Sequence, residues 1–402
     1  MFLLRELLFV ISALNICSML PINEAFHIPA AENNYHSNNV TEVTSKFVDG
    51  CSHANGSIEY TDHPEKDVYG EQLQAIVCTI GDSQKRTIIY TISGTHSVEG
   101  YAGSMAQISM LRGNSSMSPP DVRRAHLHLI NPYGASYILK ENEQNANQLK
   151  NNTMYYTLHY DNPILQRLID QIELPTLGNK SARQNAYAVI GQLFAEYDRE
   201  VVNMALKTGQ GRQPQGIAYF GPPKSLSSQI EDYVVAKYFP YETDIILIGL
   251  HTAIGPYGTW SFMPIDKELE TAFRRWAPND LMGSYDIVIP SGGQLPYSNV
   301  KPKTNAKRVI RGIWEAGTYN VIMKTNAMFM PCLCCHFYTN VSDPFRQDII
   351  SKINEYFYPQ ADEWKRLTYN AINNVFSKVL SGFAAEISSG TKFIVADCCI
   401  IL

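Results

Sequence analysis

Apolar and polar positions along this chain fall into two rhythms. Short runs rich in β-branched residues read as buried strands: Gln74–Thr79, Arg86–Ile92, His126–Ile130, Ile245–Leu250, Ile287–Pro290 and Arg311–Trp314. Between them, apolar residues three and four apart predict amphipathic helices over Ser104–Leu111, Asn162–Ile172, Ser181–Thr208, Ser225–Tyr238, Lys267–Trp276, Asp348–Tyr356 and Asp362–Ser381. Strands alternating with helices predict an α/β fold with a mixed, mostly parallel sheet.

Two of the strand ends carry candidate chemistry. Ser-Gly-Thr-His-Ser-Val-Glu-Gly at 93–100 places His96 and Glu99 three apart, just after the apolar run Thr87–Ile92. Leu-His-Thr-Ala-Ile-Gly-Pro-Tyr-Gly at 250–258 places His251 just after Asp244–Leu250. Two histidines and a glutamate with a long spacer are the ligand set of a hydrolytic zinc site, which keeps one position open for water. Taken alone, His-x-x-Glu also reads as a surface loop. The shared context favours the metal, because open α/β sheets bind ligands outside the carboxyl ends of their strands.

Composition narrows the field. The chain has 402 residues, 45% of them hydrophobic, and a formal net charge of −5. That supports a sizeable core, and no basic stripe suggests a nucleic-acid partner. Arg5 followed by the mostly apolar Leu7–Leu20 reads as a signal peptide over residues 1–20. Secretion is therefore expected, with an uncleaved signal anchor as the alternative. No other segment has the length of a membrane span. Sequons at Asn39, Asn55, Asn114, Asn151, Asn179 and Asn340 suit a secreted glycoprotein. Once Cys17 leaves with the signal, Cys51, Cys78, Cys332, Cys334, Cys335, Cys398 and Cys399 remain, and some should pair in an oxidising compartment. The terminal Cys399-Ile-Ile-Leu402 matches a prenylation box, which conflicts with secretion and reads as an apolar tail. The polar, Asn-rich residues 21–46 are expected to be a flexible mature N-terminus, 47–385 the folded domain and 386–402 a C-terminal tail.

Further markers accompany the two motifs. They are Asn-Pro-Tyr-Gly (131–134), Asn-Glu-x-Asn (142–145), Gln-Gly-x-x-Tyr-Phe-Gly (215–221), Glu-Ala-Gly-Thr-Tyr (315–319) and Phe-Tyr-Pro…Trp (357–364). In this order, over roughly residues 50–385, the chain resembles the zinc carboxypeptidase superfamily, and within it a little-characterised branch. The resemblance implies a three-layer α/β/α single domain with one Zn²⁺ at the strand ends. It matches His96, Glu99 and His251 to the metal ligands and Glu315 to the general base, which accepts a proton from metal-activated water.

The chain also departs from the superfamily. The aspartate that orients a zinc histidine is replaced by Asn147. The Asn and Arg that bind the substrate carboxylate are replaced by Leu149 and Lys150, with Lys140 and Asn151 as neighbouring candidates for substrate binding. A lysine brings charge but not the bidentate fork of arginine. The aspartate before Leu-His is Gly249. Three functions follow: a zinc hydrolase of amide or peptide bonds with an eroded carboxylate anchor, a zinc amidase or deacylase on a small molecule, and a non-catalytic secreted metal- or ligand-binding protein. The expected partner is accordingly a peptide or an amide-bearing small molecule.

Overall fold

Seven strands form one sheet in the order β1-β2-β4-β3-β5-β7-β6. They are β1 (Ser57–Lys66), β2 (Gln72–Ile80), β3 (Thr87–Ser93), β4 (Val122–His128), β5 (Asp244–Thr252), β6 (Trp260–Pro264) and β7 (Arg308–Ala316). The computed structural model describes residues 35–84, 87–113, 122–151, 162–172, 176–177, 179–198, 201–202, 205, 208–222, 224–239, 244–282, 297, 308–319 and 344–388. The expected strand Ile287–Pro290 lies outside them. The helices are α1 (Val40–His53), α2 (Gly100–Arg112), α3 (Pro132–Tyr137), α4 (Gln148–Asn151), α5 (Pro163–Gln171), α6 (Lys180–Glu196), α7 (Leu226–Tyr238), α8 (Lys267–Trp276), α9 (Pro344–Phe357) and α10 (Asp362–Ser388).

The sheet is parallel only at its centre, across β4, β3, β5 and β7. The pairs β1/β2, β2/β4 and β6/β7 are antiparallel. A tight turn at residues 67–71 joins β1 to β2, where Asp67 Oδ1 accepts from the Tyr69 and Glu71 backbone N–H groups. So short a link can only make an antiparallel pair. β1, Ser-Ile-Glu-Tyr-Thr-Asp-His-Pro-Glu-Lys, lacked an apolar signature because it is a largely exposed edge strand carrying a proline.

Side chains of the central strands alternate between two cores. Ile89, Ile246, Ile248, Ile310 and Trp314 pack with α1, α2, α8 and α10. Ile88, Ile245, Leu247 and Ile313 pack with α7 on the opposite face. This period-2 division makes the molecule an α/β/α three-layer structure. A third core joins α5, α6 and α9 to Val98 and Ala253, beside the carboxyl ends of β3 and β5.

Three expectations are corrected. Within the stretch 21–46 expected to be flexible, residues from Val40 on belong to α1, since Asn39 caps it by accepting from the Glu42 N–H, and Val40, Val43 and Phe47 are buried at helical spacing. His36 is buried as well, 3.1 Å from the Tyr358 hydroxyl and 2.9 Å from the Lys365 carbonyl. Helix α10 runs to Ser388, past the domain end expected at 385. The long helix expected over Ser181–Thr208 breaks after Glu196, where Tyr197 turns extended (φ −123°, ψ 154°). Cys51 on α1 and Cys78 on β2 form a disulfide. Among the described residues, no helix is long and apolar enough to cross a membrane.

Candidate metal centre

β3, β5 and β7 lie side by side, and their register sets His251 next to Glu315. After β3 the chain turns sharply at Gly94 (φ +74°), where a Cβ would come 3.1 Å from Leu129 Cα. Glycine is required there. One 3₁₀ turn, Ser97–Glu99, then swings the Glu99 carboxylate back under His96. After β7, Gly317 admits the Gly255–Pro256 backbone, whose Pro256 oxygen would stand 1.9 Å from a Cβ.

This geometry gathers His96, Glu99 and His251, whose candidate ligand atoms all lie within 4.8 Å of one another. His96 Nδ1 is 3.1 Å from Glu99 Oε1, and His251 Nδ1 is 2.9 Å from Glu99 Oε2. The widest gap exceeds the ~3–4 Å expected for ligands sharing one ion, because the carboxylate stands between the rings and accepts from both. The Thr252 N–H donates to Oε2 as well, at 3.2 Å. Burial would raise the Glu99 carboxyl, but the charges and hydrogen bonds of His96 and His251 hold it well below the usual carboxylate range. Burial lowers His96, against the pull of Glu99.

Glu315 is pushed well above the carboxylate range, by burial first and then by the charge of Glu99, while the Ile254 N–H and Lys140 oppose this. Its Oε2 is buried without a hydrogen-bond partner among the described residues. Two buried carboxylates beside two imidazoles, with an orphaned oxygen, are the complement of a divalent cation. The N, N, O donor set and the burial both fit zinc.

Residues 36–371 match the family described as "Protein of unknown function (DUF2817)". The chain belongs to this family. A comparison with curated proteins finds no match. Among solved structures, this DUF2817 chain is similar to bovine thrombin-activatable fibrinolysis inhibitor in complex with tick carboxypeptidase inhibitor, at 12% identity and TM-score 0.35, over 80% of this chain and 98% of that one. It is also similar to the succinylglutamate desuccinylase from Chromobacterium violaceum, at 11% identity and TM-score 0.30, over 79% of this chain and 74% of that one.

The remaining candidates divide. Asn147 is buried beside the site, its Nδ2 3.4 Å from His96 Nε2 and 3.1 Å from Glu141 Oε1, while its Oδ1 accepts from the Lys150 N–H at 3.2 Å. Lys150 packs against Gly209, where a Cβ would stand 2.9 Å from Nζ. Its ammonium is pulled down to about 7 by burial and then by Lys140, against Glu141. The charge of Lys140 also acts on His96 and Glu315, so both lysines belong to this end of the sheet.

Asn151 does not belong to a substrate site. Its Nδ2 donates to the Phe220 and Pro222 carbonyls at 2.9 and 2.6 Å, and its Oδ1 accepts from Ser225 Oγ at 2.9 Å and from Ser228. With both ends of the amide engaged and the residue buried, it neither meets substrate nor accepts a glycan. Leu149 turns into the core under α7.

Sequence reasoning missed Tyr297, whose hydroxyl lies 3.1 Å from His251 Nε2, and Glu141 behind Asn147. It also missed Tyr356, whose phenol is raised by burial first and then by the charges of Glu99 and Glu315. Gly249 was the available signal for Tyr297: a glycine inside an otherwise apolar buried strand, two residues before His251, leaves space for another group to fill.

Proposed function

We propose that this DUF2817 protein is a secreted zinc-dependent hydrolase of amide or peptide bonds. The clustering of His96, Glu99 and His251 within 4.8 Å, with Glu315 in register beside His251, carries this reading. A zinc ion held by the first three would polarise the scissile carbonyl and acidify its water. Glu315, with Oε2 free of other bonds and favoured as the carboxylate beside a bound cation, would take the water proton and deliver it to the leaving amine. Lys140 and Lys150 attract a negatively charged substrate end as point charges, without a bidentate grip. Glu99 serves only the histidines and the metal, because both of its oxygens are engaged.

The test is hydrolysis of a peptide and acyl-amide library by purified protein with zinc, with a chelator and as Glu315→Gln. Expected are chelator-sensitive turnover and a ~10²–10⁴-fold loss in the variant with zinc retained. Unchanged turnover in Glu315→Gln contradicts the assignment of the base. Complete inactivity with zinc bound establishes the second reading, a metal-binding protein without catalysis, which Leu149 in the core and Asn147 in place of aspartate favour.

Secretion is part of the proposal. The Cys51–Cys78 disulfide and the exposed sequons at Asn39, Asn55 and Asn179 support it. Expression in a secretory host should give a processed glycoprotein whose mobility shifts on deglycosylation. An unglycosylated, cell-retained product contradicts it.

A further inference from the structure

The space above Gly249 is occupied from elsewhere in the chain. A Cβ on Gly249 would stand 2.3 Å from the Tyr297 hydroxyl oxygen, 2.9 Å from Cζ and 3.0 Å from Cε2. Tyr297 is fully buried, and its hydroxyl lies 3.1 Å from His251 Nε2 and 3.4 Å from Thr95 Oγ1. Gly249 sits on β5 two residues before His251, so both side-chain positions face the same side of the sheet. No side chain larger than hydrogen at 249 leaves the phenol where it is.

We propose that Tyr297 is a positioning residue for the metal ligand His251, and that Gly249 is the vacancy admitting it. The proposal rests on the metal-site reading above. A histidine that ligates through Nδ1 must carry its proton on Nε2, and that proton needs an acceptor to fix the tautomer and the ring plane. The phenol oxygen supplies one, and its own O–H turns to Thr95. Without the ion, His251 Nδ1–H donates to Glu99, and Nε2 becomes an acceptor for the same phenol O–H. A hydroxyl serves both tautomers because it donates and accepts. A carboxylate at 249 would serve only the ion-loaded one. His251 is therefore held at a single orientation in both states, by a neutral partner that lends its ligand less basicity than a carboxylate would.

The experiment is a double-mutant cycle on the full chain, read as zinc dissociation constants from competition with a chromophoric chelator, with apo-protein melting measured in parallel. Tyr297→Phe removes only the oxygen, and Gly249→Ala displaces it. Each should weaken zinc binding ~10–100-fold, and the double variant should bind no worse than the weaker-binding single variant, to within about twofold, because both act through one hydrogen bond. Cobalt-loaded Tyr297→Phe should show an altered visible spectrum, a signature that loss of packing alone does not move. Wild-type affinity in Tyr297→Phe overturns the role of Tyr297, even if its melting temperature falls. Fully additive losses overturn the pairing with Gly249. No zinc binding by the wild type overturns the metal site itself, a result distinct from either.

Discussion

Lys150 gives the sharpest prediction for a single residue. Burial and Lys140 place its ammonium at about 7, so it is charged below that value and neutral above it. For substrates ending in a carboxylate, kcat/KM should fall as pH rises through about 7, since this parameter reports ionisations of the free enzyme. Amide-capped substrates should lack that limb. Lys150→Arg, which stays charged throughout, should flatten it. An identical pH profile for capped and free-acid substrates, measured by initial rates, would remove Lys150 from recognition. At this scale the clustering of the candidate ligands was legible because their chemistry is written in adjacent letters: His96 and Glu99 are three apart at a strand end. Asn151 was misread because an asparagine's sequence position says nothing about whether its amide is already engaged, here by Phe220, Pro222 and Ser225. Tyr297 could not be named from the sequence, although Gly249 marks the space it fills, because it reaches His251 across 46 positions of chain.

Among the elements, α1 and β2 are cross-linked by Cys51–Cys78, 27 positions apart. A cross-link closing a loop of that size stabilises by about 3–4 kcal/mol in the chain-entropy account. Replacing both cysteines by alanine should lower the urea midpoint accordingly while leaving zinc affinity unchanged, since the disulfide lies away from the ligands. An unchanged midpoint would mean that α1 holds without it. Helices with clear apolar stripes were legible almost to the residue, as in Lys267–Trp276. The edge strand β1 was not, because one of its faces meets water and its alternation is drowned by charge. Helix α1 was overlooked for a related reason. Its polar N-terminal flank reads as a tail, and only the packing of Val40, Val43 and Phe47 distinguishes it.

Three histidines distributed through the molecule set its acid stability. Burial lowers His36, His126 and His128 from 6.5 to about 3. A group depressed on folding is neutral in the native state while the unfolded chain takes up protons below pH 6.5. Stability is therefore full above that value and is lost as pH falls toward 3, by about 1.4 kcal/mol per pH unit for each histidine. In the metal-free protein Glu315, raised by burial, acts the opposite way above its unfolded value of 4.5 and opposes part of this loss. Urea midpoints should decline steadily from pH 6.5 to 5. A flat profile there would mean that these imidazoles are protonated in the fold. The three-layer architecture was legible because strands and helices alternate in the sequence. The antiparallel margins of the sheet were not, because pairing direction depends on connections rather than on the strands themselves.

Zinc stoichiometry is the most direct test of the central claim. Wild-type protein and His251→Ala should be dialysed against the same micromolar zinc solution, washed, and assayed for metal by atomic emission. The expected result is one zinc per wild-type chain and none in the variant, because removing one of three ligands leaves only two. A wild-type protein without zinc, or a His251→Ala protein that keeps it, would contradict the metal centre on which the proposed hydrolase depends.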